Sequence, residues 1–347
     1  MRILRGTVAL LLALCLVLSF GIQCAQAGEL QVQIKAEYKY STARSMLKLI
    51  NNMRTGKDAW YISSNNRTRV KVSGLKSLEY DYNLERVAMQ RALECAVLFS
   101  HTRPNGAAWS SLYPKGYNAR GENLAYGFGT VNAAFTAFAE EKANYAGQGH
   151  RRNMLNKRFT RVGIGVVKVG NVLYWAQEFG CGGSKGSDNN RYKGDKVKVN
   201  DKTLKSIATA VQASEKEKTV KVGSSASVPS VVIISKSGAK LTLNNVTWTP
   251  GGSAVKVKNA KVTGVRTGRT KLTAKAVGKT LTVAVSVVPD IKEPLAGTTG
   301  KYSIIDDYET ALATEYFILE EDDECFEADD EEFEADDEYF ETEEEQP

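Results

Sequence analysis

Apolar side chains recur with helical spacing in three stretches of the first half of the chain. Residues 41–53 place apolar side chains at i, i+3, i+4 and i+7 from Met46, which predicts a first helix. Residues 83–99 carry a second apolar stripe and begin at Asn83, a residue type that caps helices. A third helix is predicted over residues 131–145, where the stripe is aromatic.

Alternating apolar and polar positions predict strands in two regions. The segments GIGVVKV and VLYWAQEF flank Gly170 and Asn171, a dipeptide suited to a tight hairpin. From residue 195 to 289 short alternating segments such as KVKV, KLTL and LTVAVSV follow one another, which favours a small all-β sandwich. The basic residues fall mainly between the apolar ones, so the outward faces of this sandwich should be positively charged.

The remaining stretches are polar or rich in glycine. Residues 28–40 are interpreted as a polar leader, and residues 54–77 as a long basic excursion around Trp60. Residues 100–130 are rich in Gly, Pro, Asn and Ser, so little regular structure is expected there. Residues 182–194 are interpreted as a linker between an α+β unit and the all-β unit.

The N-terminus has the pattern of a signal peptide over residues 1–27. Two early arginines precede an apolar run from about residue 8 to 22, and small residues mark a cleavage site after Ala27. The expected protein is secreted and extracellular, with association with the cell wall as a further expectation. An uncleaved membrane anchor is the alternative, although the run is short for a spanning helix. A lipoprotein at Cys24 is a poorer fit because Gln23 precedes it.

Three cysteines remain after cleavage, namely Cys95, Cys181 and Cys325. This number excludes a disulfide scaffold, so apolar burial must hold the core. A Cys95–Cys181 bridge can form in an oxidising compartment. Cys95 also shares a face with the apolar residues of the second helix, so a buried thiol is the alternative.

The net charge of +6 conceals a strong asymmetry. Residues 28–301 contain 44 Lys and Arg against 18 Asp and Glu, a net charge of +26. Residues 302–347 contain 22 Asp and Glu and no Lys or Arg. The body should attract anionic cell-wall polymers or lipid head groups. Nucleic acid is not an expected partner, because no nucleic-acid-binding motif is visible.

The acidic C-terminus, residues 302–347, is of low complexity. FEADDEE, FEADDEY and FETEEEQ repeat every seven residues from Phe326. One aromatic residue per heptad is too little for a coiled coil, so a disordered tail is predicted. Folding back onto the basic body and docking on a partner are the alternatives.

The chain contains only two histidines, His101 and His150, and both lie in the first unit with Glu122 and Glu141 between them. Imidazole and carboxylate are groups that bind zinc or move protons near neutral pH. On the third predicted helix Glu141 borders the apolar stripe, whereas Glu140 points elsewhere. None of the spacings is that of a metal motif, and each histidine can instead be a cap or packing residue.

Four ordered motifs, SHTRPNG, RGENLAYG, AFAEEKANYAGQGHRRNML and YWAQEFG, resemble the CAP superfamily of cysteine-rich secretory, antigen 5 and pathogenesis-related proteins. The resemblance covers residues 41–181 and is closest to bacterial SCP-like extracellular proteins. It implies a three-layer α-β-α sandwich in which His101, Glu122, Glu141 and His150 share one cleft. The family's helix tryptophan is Phe138 here, and the disulfides of eukaryotic members are absent.

The second unit resembles a bacterial immunoglobulin-like domain of group 2 over about residues 196–289. That resemblance implies adhesion or spacing at the cell surface and carries no catalytic groups.

Three functional hypotheses follow. In the first, His101 and His150 hold a divalent metal, with zinc expected, Glu122 and Glu141 orient water or ligands, and the cleft receives a lipid, peptide or wall fragment. In the second, the protein is a metal-assisted hydrolase with Glu122 or Glu141 as general base. In the third, the four residues form a purely structural polar network. Because the motifs do not establish a common enzymatic activity, binding is favoured over hydrolysis. Neither Ser100 nor Ser110 lies in a nucleophile elbow.

Overall fold

The computed structural model describes residues 30–290, in which helices and strands are mixed. The helices are α1 (Tyr40–Thr55), α2 (Tyr82–Val97), α3 (Val131–Ala139), α4 (Gly149–Met154) and α5 (Asp201–Ile207), with 3₁₀ turns at Trp109–Leu112 and Ala146–Gln148. The strands of the first half are β1 (Leu30–Ile34), β2 (Glu37–Tyr38), β3 (Trp60–Ile62), β4 (Arg69–Lys71), β5 (Glu79–Tyr80), β6 (Tyr117–Tyr126), β7 (Arg161–Val169) and β8 (Val172–Gly182). The strands of the second half are β9 (Lys196–Val199), β10 (Ala208–Ala213), β11 (Glu217–Lys221), β12 (Ser225–Ser227), β13 (Val231–Ser235), β14 (Lys240–Leu243), β15 (Thr249–Pro250), β16 (Val255–Lys258), β17 (Lys261–Gly264), β18 (Gly268–Ala276) and β19 (Lys279–Val288).

The predicted hairpin is confirmed and forms the centre of the first sheet. β7 and β8 pair antiparallel from Val169 opposite Val172 to Arg161 opposite Gly180. The strand order is β2-β7-β8-β6, with β5 pairing parallel to β7. Among the described strands β6 is therefore the edge beyond β8, and it is this edge that positions the candidate site.

Helices cover both faces of this sheet. On one face α2 approaches β7 so closely that a Cβ on Gly163 would lie 2.0 Å from the Glu85 nitrogen, and one on Gly165 would lie 2.2 Å from the Ala88 carbonyl. Only glycine fits at these two positions. On the opposite face Gln177 of β8 contacts the sulfur of Met46 in α1 at 3.2 Å. The described chain thus has an α-β-α layering over this sheet.

The first two predicted helices are confirmed with small changes at their ends. α2 begins one residue early because Asp81, not Asn83, is its N-cap: the Asp81 carboxylate accepts hydrogen bonds from the backbone N–H groups of Asn83 and Leu84.

The polar excursion over residues 54–77 contains a hairpin, β3 and β4. Its Trp60 ring lies between the guanidinium groups of Arg69 and Arg151, at 3.9 and 4.1 Å from the ring centroid.

The expectation of little regular structure over residues 100–130 is wrong for its last part. β6 is ten residues long and pairs with β8 from Tyr117 to Tyr126. Glycine and asparagine disfavour strands locally, but ladder bonds to β8 and burial against the helices outweigh that preference.

The polar leader contains a strand that belongs to the second half of the chain. β1 lies between β14 and β9 in a five-stranded sheet of order β10-β13-β14-β1-β9. Its Val32 and Ile34 side chains are fully buried. Apolar and polar residues alternate in LQVQI, as in a strand. The strands that pair with this segment lie far along the chain, so the sequence did not indicate its partners.

The stretch predicted as a linker, residues 182–194, lies along the first unit. The backbone N–H of Tyr82 donates to the Lys185 carbonyl at 2.8 Å, and Asn83 donates to the Ser184 carbonyl at 2.7 Å. Asp188 forms an ion pair with Arg44 of α1.

Two further sheets complete the second half. One has the order β11-β19-β18-β15 and the other β12-β17-β16, and buried residues of both belong to the same apolar core as the first sheet. The hairpin of β13 and β14 belongs to neither of these two sheets, because β14 pairs with β1. The immunoglobulin-like assignment of residues 196–289 stays a prediction.

Both cysteines within the described residues are free thiols, so the Cys95–Cys181 bridge is not formed. Cys95 is buried in α2, and this burial raises the pKa of its thiol to about 12. No helix in residues 30–290 is long and apolar enough to cross a membrane. The predicted signal peptide, residues 1–27, and the predicted acidic tail, residues 302–347, lie outside the described residues.

Candidate functional site

His101 and Glu122 form the first of two imidazole–carboxylate pairs beside β6. His101 follows α2, and its Nδ1 lies 2.7 Å from Oε1 of Glu122. The His101 side chain is 59% exposed, whereas that of Glu122 is 1% exposed. A buried carboxylate thus orients a histidine whose ring reaches solvent.

Arg91 of α2 supplies the charge that keeps Glu122 ionised. Its Nε donates to Glu122 Oε2 at 2.6 Å, and its Nη2 donates to the carbonyl of Ser100 at 2.6 Å. Burial alone would raise the pKa of Glu122, but the hydrogen bond from His101 and the Arg91 charge lower the pKa below its usual value. Both oxygens of Glu122 are therefore engaged in the described structure.

Glu178 is a buried carboxyl group whose importance the sequence analysis missed. It lies directly across the sheet from Glu122, at the register position on β8, and is fully buried. Tyr113 donates its hydroxyl to Glu178 Oε2 at 2.9 Å, whereas Oε1 has no hydrogen-bond partner among the described residues. Burial and the adjacent charge of Glu122 raise the pKa of Glu178 well above its usual value. The surroundings of Glu178 therefore favour its neutral, protonated form over the charged one. The sequence signal for such a site was a lone acid in the apolar run VLYWAQEF.

The second pair consists of His150 and Glu140, not Glu141. His150 Nδ1 lies 2.5 Å from Glu140 Oε1, and the backbone N–H of Arg151 donates to Glu140 Oε2 at 3.2 Å. The His150 ring packs edge-on against Phe138, with centroids 5.4 Å apart.

The expected position of Glu141 on the third helix is wrong because that helix ends six residues early. α3 stops at Ala139, and Glu140 adopts a left-handed backbone with φ 43° that turns its side chain toward α4. Glu141 is exposed and lines an open pocket of about 670 Å³ together with Asn66, Arg69 and neighbouring residues. Glu141 lies beyond the end of α3, so helical spacing does not predict the direction of its side chain.

The side chains of Glu122 and Asn123 point to opposite faces of β6 and contact different helices. Adjacent strand residues point to opposite faces: Glu122 meets Arg91 of α2, whereas Asn123 donates to the carbonyl of His150 in α4 at 3.1 Å. Asn153 of α4 donates to Asn123 Oδ1 at 2.8 Å and to the Glu122 carbonyl at 3.2 Å. Asn123 thus connects α4, which carries His150 of the second pair, to β6, which carries Glu122 of the first pair.

Of the four candidate side chains in the two pairs, only the imidazoles have a nitrogen that their partner does not occupy. Each histidine presents Nδ1 to a carboxylate, which leaves Nε2 as the remaining ring nitrogen, as in carboxylate–histidine–metal arrangements. Among residues 30–290 no group of three or more His, Cys, Asp and Glu is arranged to hold a metal ion. Any ion here would take its other ligands from water or from a bound molecule.

Sequence comparisons identify the first unit. A family model described as CAP, the cysteine-rich secretory protein family, matches residues 47–179. The uncharacterized protein YkwD of Bacillus subtilis (strain 168) is 32% identical over 111 residues, which are 30% of this chain and 40% of YkwD. The chain thus spans about two fifths of the length of that relative.

Solved structures resemble the chain over a similar share of its length. An outer surface protein from Borrelia burgdorferi is 19% identical, covers 43% of this chain and 99% of its own, and has a TM-score of 0.33. Venom allergen-like protein 4 of Schistosoma mansoni is 15% identical, covers 44% of this chain and 96% of its own, and has a TM-score of 0.31. The family assignment of residues 47–179 rests on the sequence matches.

Proposed function

Because residues 47–179 form a domain of the CAP family, we propose that this chain is a secreted CAP-domain protein that binds a divalent metal ion and a small ligand beside β6. His101 and His150 supply the protein ligands through Nε2, and zinc is the expected ion. Glu122 and Glu140 orient the two rings, so Glu140 takes the role that the sequence assigned to Glu141.

The observation that carries the proposal is the pair of imidazole–carboxylate contacts that flank one edge strand. A carboxylate on Nδ1 fixes the tautomer and the ring orientation, and it raises the basicity of Nε2. His101 and His150 are the only histidines in the chain, and each has such a partner. A metal ion bound there keeps open positions for an oxygen or nitrogen of a ligand.

The contacts of the carboxylates favour binding over hydrolysis. A general base needs a carboxylate oxygen within reach of the attacking water. Both oxygens of Glu122 are occupied by His101 and Arg91, and both oxygens of Glu140 are occupied by His150 and the Arg151 N–H. The ligand is therefore proposed to be a lipid, peptide or wall fragment that is held rather than cleaved.

The basic charge of the body supports a location near an anionic surface. Residues 28–301 carry a net charge of +26, and such a field attracts anionic cell-wall polymers or lipid head groups. The predicted signal peptide supports this proposal, since it would direct the mature chain out of the cell. The second half of the chain then serves to retain the CAP domain at the surface.

Zinc titration by calorimetry on the mature chain, residues 28–347, tests the metal site. The whole mature chain is required, because β1 pairs with β9 and β14 and a fragment ending near residue 185 would lose those partners. His101→Ala combined with His150→Ala serves as the comparison, since weak cation binding by the acidic C-terminus is equal in both proteins. We expect a heat in the wild type at pH 7.5 that the double variant lacks. Equal heats would mean that the histidines hold no metal.

Incubation with labelled peptidoglycan and casein tests the choice of binding over hydrolysis. We expect no labelled product from either substrate. Product release that Glu122→Gln abolishes would show that the protein is a hydrolase.

A further inference from the structure

The latter part of the chain has an unusual distribution of charge. Residues 218–289 contain twelve Lys and Arg and no Asp or Glu. Four of the basic residues, Arg266, Arg269, Lys271 and Lys275, fall in or next to β18. Since like charges repel, a fold that gathers them on one surface without acids works against its own stability, and a bound anion would relieve this repulsion.

Three of these side chains form a row on one sheet. Arg269, Lys271 and Lys275 are exposed along β18, while the alternate residues Leu272, Ala274 and Ala276 are buried. At about 3.4 Å per residue the row is about 20 Å long. Among the described residues none of the three basic side chains forms an ion pair. We call Arg269, Lys271 and Lys275 the basic ridge.

The strand beside the basic ridge offers room and hydroxyl groups. The outward residues of β19 opposite the ridge are small: Ser286 pairs with Arg269, Ala284 with Lys271 and Thr280 with Lys275. Beyond β19 the next strand, β11, exposes longer side chains, including that of the acidic Glu217 opposite Ala284. The outward surface of β19 is therefore a shallow trough with the basic ridge along one side.

The ridge is held in place as well as charged. A Cβ on Gly251, in the turn after β15, would lie 2.9 Å from Cγ of Lys271, so the lysine stem already packs on that backbone. Arg269 and Lys275 lie two residues to one side and four to the other on the same face. The three side chains therefore leave the sheet along one line parallel to the strand, and the stem of Lys271 packs on the neighbouring turn.

We propose that the trough beside the basic ridge binds a linear polymer that carries phosphate groups along its length. Charge complementarity selects a polyanion, and the straight row matches an extended chain better than a compact anion. The guanidinium of Arg269 can hold a phosphate through two parallel hydrogen bonds, while hydroxyl groups of Thr280 and Ser286 can donate to further phosphate oxygens. This inference rests on the proposed retention at an anionic surface and assigns that retention to one face.

Binding of the mature chain to immobilised inorganic polyphosphate tests the assignment. The ridge variant is Arg269→Gln with Lys271→Gln and Lys275→Gln. The matched control is Lys256→Gln with Lys258→Gln and Lys261→Gln, which removes the same charge from the exposed side chains of the hairpin of β16 and β17. All six residues are exposed, so both variants should fold as the wild type does, which their circular dichroism spectra would verify.

We expect the ridge variant to bind at least about tenfold more weakly at low salt, with the slope of log affinity against log salt reduced by about 2, as loss of three phosphate contacts requires. The control variant should stay close to the wild type. Equal weakening of both variants would overturn the ridge, because net charge alone would then explain binding. Capture by anionic lipid vesicles with no preference between the variants would likewise overturn it in favour of a membrane surface. Failure of the wild type to bind polyphosphate would overturn both the ridge and the proposed retention, while leaving the metal site unaffected.

Discussion

Replacing Glu178 by glutamine should change the pH dependence of stability in a direction opposite to that of an ion-paired acid such as Glu122. Glu178 is fully buried, and its pKa in the folded chain lies well above the value of about 4.3 expected in the unfolded chain. The folded state therefore holds a proton that the unfolded state releases above pH 4.3. By linkage, the contribution of Glu178 to stability is complete below about pH 4.3 and is lost as the pH rises toward the folded pKa.

The magnitude follows from one proton. Over the pH range where only the folded state binds that proton, the wild type loses up to about 1.4 kcal/mol of unfolding free energy per pH unit from Glu178. Glutamine has nearly the same shape and can still accept the Tyr113 hydrogen bond, so Glu178→Gln should cost no more than about 1 kcal/mol at pH 5. It should then gain on the wild type by up to about 1.4 kcal/mol per pH unit as the pH rises from about 5 toward the folded pKa of Glu178.

Urea unfolding of the mature chain at pH 5, 6 and 7 measures this difference, provided that the m-value is unchanged. The matched control is Glu122→Gln, directly across the strand pair. The pKa of Glu122 is lowered, so its stabilisation is present above about pH 4.3 and is lost as the pH falls through the folded pKa. Removing it leaves Arg91 without its nearest carboxylate, which should cost about 3 kcal/mol or more at pH 7. A constant difference between Glu178→Gln and wild type from pH 5 to 7 would refute the protonated state of Glu178.

Three further predictions follow from the fold and the second pair. Glu140→Gln should weaken zinc binding, measured by calorimetry, roughly tenfold to a hundredfold, because His150 loses its orienting carboxylate. Glu141→Gln should leave zinc binding unchanged. The opposite result would mean that Glu141, not Glu140, orients His150. Ile34→Ala should lower the unfolding free energy in urea by about 2–5 kcal/mol, since the side chain is buried in β1; a loss under 1 kcal/mol would mean that β1 is not docked. Gly165→Ala should abolish folding or lower the melting temperature strongly, because its Cβ would lie 2.2 Å from the Ala88 carbonyl; a folded, undisturbed variant would contradict the close packing of α2 on β7.

Elements with a local signal were predictable from the sequence. The apolar spacing from Met46 gave α1, and Gly170 with Asn171 gave the turn between β7 and β8. The resemblance of the ordered motifs to the CAP superfamily implied a cleft shared by His101, Glu122, Glu141 and His150, and the first two of these side chains are in contact. These features depend on residues close in sequence or on a family pattern that fixes distant ones.

Features that depend on distant partners were missed. α3 ends at Ala139, and the next residue, Glu140, contacts His150 ten residues later. The helical spacing that favoured Glu141 therefore did not apply at that position. β1 is a strand because β9 and β14 lie on both sides of it, far along the chain. Glu178 is unusual because it is buried and because Glu122 lies opposite it, and the second of these depends on the pairing of β6 with β8.

Counting the metal ions bound by single histidine variants tests the central claim most directly. If His101 and His150 share one ion beside β6, the wild type binds one zinc ion per chain with high affinity, and His101→Ala and His150→Ala each remove that binding. Uptake should also weaken as the pH falls, because protons compete with the metal for imidazole. Undiminished high-affinity binding of one ion in either single variant would contradict a shared metal site.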